Sequence, residues 1–261
     1  CVGEPDMSPR VFVCLRPGAW SYLYLSCLNA GYRNNEVAVP VLEEVIDRYD
    51  IDGIFFNAPN YEYCCCDSCK RIYRELYGKE LPMDSSAVEQ NTTYAIKQAR
   101  GLEPGFASRC VRDNMEGIYR AVKAKRVDLP LILYYNLHRD NLDERYATAD
   151  MICTESQDVL SRGWRDLPPL WHPVLSMKFG SSAPGRPAPF GIIHSCPGMD
   201  WRHTGLPMAE YLFWMSGVAA GGGSIWHSIT GFCDTISDKR LLKALTEVNH
   251  KIAKIEGDMD S

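Results

Sequence analysis

The chain lacks the features of membrane-spanning and nucleic-acid-binding proteins. It contains no run of about 18 apolar residues, so no membrane-spanning helix is expected. It also lacks an excess of basic residues, because 28 Lys and Arg face 33 Asp and Glu, for a formal net charge of -5. Neutralising nucleic-acid phosphates requires a concentrated basic surface, so no nucleic-acid partner is expected.

The N-terminus lacks an initiating Met, a basic start and an apolar stretch long enough for a signal peptide. We therefore expect a processed or truncated piece of a longer protein, located in the cytoplasm. What is present is ordinary globular composition, with 46% hydrophobic and 23% charged residues. The length permits one large α/β domain or two small ones, and we predict a single domain over residues 1–261.

Short apolar runs alternate with longer amphipathic or charged segments. This pattern, with no two consecutive strands, predicts a parallel sheet covered by helices. The predicted strands are 51–57, 129–136, 149–155, 190–195 and 224–230, with 11–15 as a possible sixth. The predicted helices are 37–48, 66–77, 108–126, 207–220 and 238–254.

Two architectures fit this alternation, a doubly wound sheet and a (β/α)₈ barrel. No glycine-rich phosphate loop follows an early strand, which weakens the doubly wound, dinucleotide-binding interpretation. Polar and aromatic residues instead gather where the strands end, as in a barrel active site. We therefore predict a TIM-type (β/α)₈ barrel that lacks its first strand-helix units in this chain.

Eleven cysteines are present, and four of them lie within six residues, at 64, 65, 66 and 69. The C-x-C-x-x-C spacing of Cys64, Cys66 and Cys69 before a helix can present three thiolates to one tetrahedral ion. The preferred fourth ligand is Cys27, with Cys14 as the alternative, and Cys65 is expected to point away. A closed set of four thiolates predicts a structural metal; the alternative is a group of unrelated reduced thiols.

Several segments carry a resemblance to a known family. They are LSCLNAGYRNN (25–35), YDIDGIFFN (49–57), CCCDSCKRIYRELYGKELP (64–82) and the stretch 200–231. The chain resembles the glycoside hydrolase family 42 β-galactosidases and related α-L-fucosidase-like glycosyl hydrolases. The resemblance implies a (β/α)₈ barrel, a carbohydrate substrate, a homo-oligomer and a structural zinc ion on Cys27, Cys64, Cys66 and Cys69.

The chain departs from this family at the end of its fourth barrel strand. The family 42 enzymes carry an Asn-Glu pair there, with Glu as the acid/base, and the fucosidases carry a nucleophilic Asp. The corresponding residues here are Phe56, Asn57 and Ala58. Asn57 can hydrogen-bond a sugar hydroxyl but cannot exchange a proton at neutral pH.

Glycoside hydrolysis needs two carboxyl groups that flank the scissile bond. The predicted catalytic pair is Glu155, which ends the apolar run ADMICTE, and Asp200, which lies in CPGMDWRH; Asp234 is a weaker third choice. The predicted substrate-binding residues are polar or aromatic and lie at or after strand ends: Asn57, Tyr135, Asn136, His194, Trp201, Arg202, His203 and Trp226.

The sequence therefore predicts a glycoside hydrolase, retaining in mechanism, for a galactoside- or fucoside-like bond. The alternative is a carbohydrate-binding pseudoenzyme with a structural zinc site, which Asn57 motivates. A metal-dependent hydrolase is not favoured, because the histidines do not cluster with carboxylates in the sequence.

Overall fold

The computed structural model describes residues 11–16, 19–24, 26–57, 61–83, 85–90, 94–99, 101–135, 142–157, 169–197, 203–229 and 236–259. The chain divides into two compact units, Cys1–Leu131 and Ile132–Ser261. The strands within the described ranges are β1 (Val11–Arg16), β2 (Ala19–Tyr24), β3 (Ile54–Phe56), β4 (Ser85–Gln90), β5 (Tyr94–Ala99), β6 (Leu131–Tyr134), β7 (Met151–Glu155), β8 (Phe190–His194) and β9 (Ser224–Ser228). The α-helices in the same ranges are α1 (Ala38–Arg48), α2 (Asp67–Tyr77), α3 (Phe106–Lys125), α4 (Leu142–Tyr146), α5 (His172–Gly180), α6 (Met208–Ala220) and α7 (Arg240–Met259). Within these ranges, no helix is both long and apolar enough to cross a membrane.

Five strands form one sheet in the order β3-β6-β7-β8-β9. The pairs from β6 to β9 are parallel, as the alternation of strands and helices predicts. Each predicted strand is present, with its ends trimmed by up to three residues. The fold is thus α/β, and its parallel strands are consistent with part of a (β/α)₈ barrel.

Two antiparallel hairpins contradict the prediction that no strands are consecutive. Strand β1 pairs with β2, so the possible sixth strand at 11–15 does form, but outside the parallel sheet. Strand β4 pairs with β5 between α2 and α3, in a region where no strand was predicted. Each hairpin is a separate two-stranded sheet.

The first unit is built around helices α1, α2 and α3. An aromatic cluster joins α2 to the start of α3, because the ring of Phe106 lies 5.0 Å from that of Tyr73, edge to face. The carboxamide of Asn114 on α3 donates to the Arg33 carbonyl and to Asn34 Oδ1, both at 2.8 Å. These contacts fix the segment that precedes α1 against α3.

A glycine permits the close approach of β3 to the chain before β6. The Ile54 N–H donates to the Pro130 carbonyl at 3.0 Å. A Cβ at Gly53 would lie 3.2 Å from that same carbonyl oxygen and 3.3 Å from the Pro130 ring. The glycine in the IDGIFF sequence therefore allows β3 to lie beside the chain before β6 without displacing Pro130.

In the second unit, strand register divides the side chains between two faces of the sheet. Leu133, Ile152 and Ile193 lie on one face, where they are fully buried. Ile193 packs there against a core that includes Met177 of α5 and Val218 of α6. The opposite face, which does not bear these helices, carries Glu155 and His194.

Candidate metal centre and candidate active site

Four cysteine sulfurs of the first unit converge on one point. The Sγ atoms of Cys27, Cys64, Cys66 and Cys69 all lie within 4.8 Å of one another. Cys27 Sγ is 3.4 Å from Cys69 Sγ and 3.7 Å from Cys66 Sγ. A tetrahedral ion with metal–sulfur bonds of about 2.3 Å requires sulfurs about 3.8 Å apart, so the four residues fit a metal ion of this kind.

Local structure explains how the thiols meet. Cys64 and Cys66 lie in the extended chain before α2, and Cys69 lies in the first turn of that helix. The Cys66 N–H donates to Cys64 Sγ at 3.4 Å, which folds the two sulfurs to the same side. Cys65 points elsewhere and donates to the Tyr63 hydroxyl at 3.0 Å, as its exclusion from the ligand set predicts.

The thiols perturb one another strongly. Hydrogen bonds from the thiols of Cys27, Cys64 and Cys69 lower the pKa of the Cys66 thiol. Hydrogen bonding to Cys64 and Cys66, together with burial, raises the pKa of Cys27, and bonds to Cys27 and Cys64 raise that of Cys69. Without a cation the cluster therefore favours shared protons over four thiolates, and a thiophilic cation would replace those protons.

The candidate active site lies in the second unit, where two adjacent parallel strands end. Glu155 is the last residue of β7 and His194 is the last residue of β8. His194 Nε2 lies 3.5 Å from Glu155 Oε1, with the imidazole side chain 7% exposed and the carboxylate 22% exposed. The arrangement combines a solvent-accessible carboxylate with a buried imidazole beside it.

Gln157 completes this group and was not among the predicted site residues. Its side chain is fully buried, and its Oε1 accepts a hydrogen bond from the His194 backbone N–H at 3.0 Å. Within the described part of the chain, neither Gln157 Nε2 nor His194 Nε2 has a hydrogen-bond partner. The available sequence signal was its position two residues after the strand-ending Glu155.

The other predicted substrate-binding residues are distributed differently. Trp226 lies on the Glu155 face of the sheet, and its ring contacts that of Phe190 edge to face at 6.3 Å. Asn57 directly follows β3 and is exposed, as is His203. Outside the described residues lie Asn136, Asp200, Trp201, Arg202 and Asp234, and the side chain of Cys14 is not described either.

Tyr135 belongs to the helix-facing side of the sheet. It is fully buried, and its hydroxyl donates to the Ser176 carbonyl of α5 at 2.6 Å. Burial raises the pKa of this hydroxyl, which stays protonated as a donor. Its side chain therefore joins sheet to helix on the side away from Glu155, and its assignment to the sugar site stays a prediction.

We expect Tyr135→Phe to lower the free energy of unfolding by about 1 kcal/mol, because it removes one buried hydrogen bond. The corresponding fall in Tm is roughly 2–4 °C, measured by calorimetry. Tyr32→Phe, at an exposed tyrosine, serves as the control and should leave Tm unchanged. An unchanged Tm for Tyr135→Phe would contradict this role of the hydroxyl.

Comparison with known proteins identifies solved structures with a similar fold. No protein-family model and no curated protein sequence matches the chain. Among solved structures, α-L-fucosidase isoenzyme 2 from Paenibacillus thiaminolyticus is similar with a TM-score of 0.58 and 16% identity, over 92% of this chain and 32% of that one. The β-galactosidase from Bacillus circulans sp. alkalophilus matches with a TM-score of 0.60 and 14% identity, over 91% of this chain and 42% of that one.

A polyextremophilic β-galactosidase from the Antarctic haloarchaeon Halorubrum lacusprofundi is similar as well, with a TM-score of 0.55 and 15% identity, over 92% of this chain and 41% of that one. The fold is glycosidase-like. At these identities the likeness extends to the fold alone, and the chain spans less than half the length of each of these proteins.

Proposed function

We propose that the chain is part of a (β/α)₈ glycoside hydrolase that acts on a galactoside- or fucoside-like bond. The observation that carries this proposal is the carboxylate of Glu155, which ends β7 beside the buried imidazole of His194. The carboxyl ends of parallel strands are where barrel enzymes hold their catalytic groups. The fold neighbours, a fucosidase and two β-galactosidases, support the same class of reaction.

In this proposal Glu155 and Asp200 are the two carboxyl groups of a retaining mechanism. One protonates the leaving oxygen, and the other attacks the anomeric carbon and is released by water. The His194 imidazole lies beside Glu155 at the end of the neighbouring strand, and Gln157 accepts a hydrogen bond from the His194 backbone N–H there. Trp226 offers an aromatic surface on the same face of the sheet, as sugar sites commonly do.

The cysteine cluster is proposed to hold a structural Zn²⁺ ion through Cys27, Cys64, Cys66 and Cys69. A set of four thiolates suits zinc or iron–sulfur centres and leaves no open position for a substrate. Zinc is proposed because the family resemblance implies it. The ion would tie the segment before α1 to the start of α2 and would take no part in hydrolysis. Homo-oligomerisation, which the resemblance implies, belongs to the same proposal.

Metal affinity is expected to fall as the pH is lowered. The raised pKa of the Cys27 and Cys69 thiols means that metal binding must displace protons, and acid favours those protons. Competition with a chromophoric zinc chelator between about pH 6 and pH 8 measures this dependence. An affinity that is independent of pH would contradict thiol ligation.

The direct test of the enzyme proposal is the activity of the full chain on chromogenic galactosides, fucosides, arabinosides and glucosides of both anomers. Release of the leaving group from one of them, with retention of anomeric configuration by NMR, is the expected result. Inverted product would exclude the retaining mechanism while keeping the hydrolase. No release from any glycoside by a folded, metal-loaded chain would count against the hydrolase.

A carbohydrate-binding protein without hydrolase activity is the second candidate. The observation in its favour is Asn57, an exposed amide directly after β3, where the family resemblance leads one to expect a catalytic carboxylate. It predicts that a sugar from the same panel binds in calorimetry while its glycosides remain intact. Measurable release of any chromogenic leaving group excludes it.

A further inference from the structure

Asn29 contacts the cysteine cluster through both its backbone and its side chain. Its backbone N–H lies 3.4 Å from Cys27 Sγ. Its side-chain nitrogen Nδ2 lies 3.3 Å from Cys69 Sγ and 3.2 Å from Cys110 Sγ. One residue therefore directs N–H groups at two of the four clustered thiols and at a fifth cysteine.

The chemistry of the carboxamide matches this placement. A primary amide carries two N–H donors, and here each has a sulfur within hydrogen-bond distance. A thiolate is stabilised by such donation, because N–H groups offset its negative charge. An aspartate of the same size would instead turn an acceptor oxygen toward the sulfurs.

We propose that Asn29 is a positioning residue of the metal centre, which orients and stabilises the thiolates of Cys27 and Cys69. The proposal rests on the metal site put forward above and is independent of glycoside hydrolysis. Donors of this kind around a metal site fix ligand geometry and tune affinity.

Cys110 gives this residue a second connection. It lies on α3, is 1% exposed, and has a pKa raised to about 11 by burial, so it remains a neutral thiol. Its sulfur is not among the four that converge. Asn29 therefore also links the ligand shell to α3, and the test must separate this packing role from the effect on the metal.

The test measures metal binding by the full chain with Zn²⁺ and with Co²⁺ as a spectroscopic probe. Asn29→Ala is expected to weaken zinc affinity by about 10- to 100-fold in chelator competition. Asn29→Asp should weaken it at least as much, because it keeps the size of the side chain but replaces donor by acceptor. In both variants the sulfur-to-cobalt charge-transfer band should move to longer wavelength, since the thiolates lose a hydrogen bond.

Two variants provide the controls. Asn35→Ala removes an exposed asparagine from the same segment and should leave affinity and spectrum unchanged. Cys110→Ala removes only the link to α3, so it can lower thermal stability but should leave the cobalt band in place. This pair distinguishes action on the metal from packing.

Wild-type zinc affinity and an unshifted cobalt band in folded Asn29→Ala and Asn29→Asp would overturn the inference. A cobalt band that moves equally in Cys110→Ala would do so as well, because the effect would then arise from packing against α3. Failure of the wild-type chain to bind either metal would overturn both the proposed metal site and the proposed role of Asn29. Lack of glycosidase activity would affect neither.

Discussion

Cys69→Ser is expected to release the metal from the chain and to lower its Tm by roughly 10 °C. The Sγ of Cys69 lies 3.4 Å from that of Cys27 within a cluster of four, and its side chain is completely buried. An ion that binds only the folded state stabilises it by about 4 kcal/mol when free metal exceeds the Kd by about 1,000-fold. For a chain of this size that amount corresponds to the stated change in Tm.

Cys65→Ser is the matched control for this prediction. Cys65 is as buried as Cys69 and lies next to two of the proposed ligands, but its thiol donates to the Tyr63 hydroxyl. A serine can make the same donation, so this variant should keep one metal per chain by elemental analysis. Equal metal content in the two variants, whether retained or lost, would contradict the assigned ligand set.

The convergence of the four cysteines could be predicted because most of the information is local. The C-x-C-x-x-C spacing places three sulfurs around one helix start, whatever the remainder of the fold. Cys27 is distant in sequence from the other three cysteines, so spacing alone could not select it over Cys14 as the fourth member of the cluster. Asn29 could not be predicted, because its role depends on how the segment at 26–30 meets Cys110 of α3.

The parallel strands were predictable from their apolar runs, but the faces they present were not. Tyr134 and Tyr135 are adjacent and chemically alike, and only strand register places Tyr134 with Cys153 and turns Tyr135 to α5. Because side chains alternate along a strand, an error of one residue exchanges the two faces. Glu155 was subject to the same ambiguity, and the register places it on the face that also carries His194 and Trp226.

Helix α5 shows where periodicity fails. Its sequence, HPVLSMKFG, has apolar residues on every side and a proline at the helix start, so no amphipathic stripe marks it. The β4–β5 hairpin was missed for another reason, because neither SSAVEQ nor YAIKQA alternates strictly between apolar and polar residues. Both elements depend on contacts that the linear pattern does not encode.

Glu155→Gln is expected to reduce turnover of any glycoside that the chain hydrolyses by about 10²- to 10⁴-fold. Glutamine preserves the size and hydrogen-bonding reach of the side chain but can neither exchange a proton nor attack the anomeric carbon at neutral pH. Because Glu155 is partly exposed and its neighbour His194 is held through its backbone by Gln157, the fold should tolerate the change. Initial rates on the best substrate of the panel, with Tm measured alongside, test this expectation.

Glu144→Gln is the matched control, since it makes the same substitution at an exposed position on α4 of the same unit. It should retain wild-type rates. Wild-type turnover in Glu155→Gln would show that this carboxylate is not catalytic. The proposed active site at the end of β7 would then lose its main support. Suppose instead that wild type and Glu155→Gln bind the same sugar equally and that neither releases a leaving group. This result would support the carbohydrate-binding alternative, because Glu155 would then take part in no proton transfer.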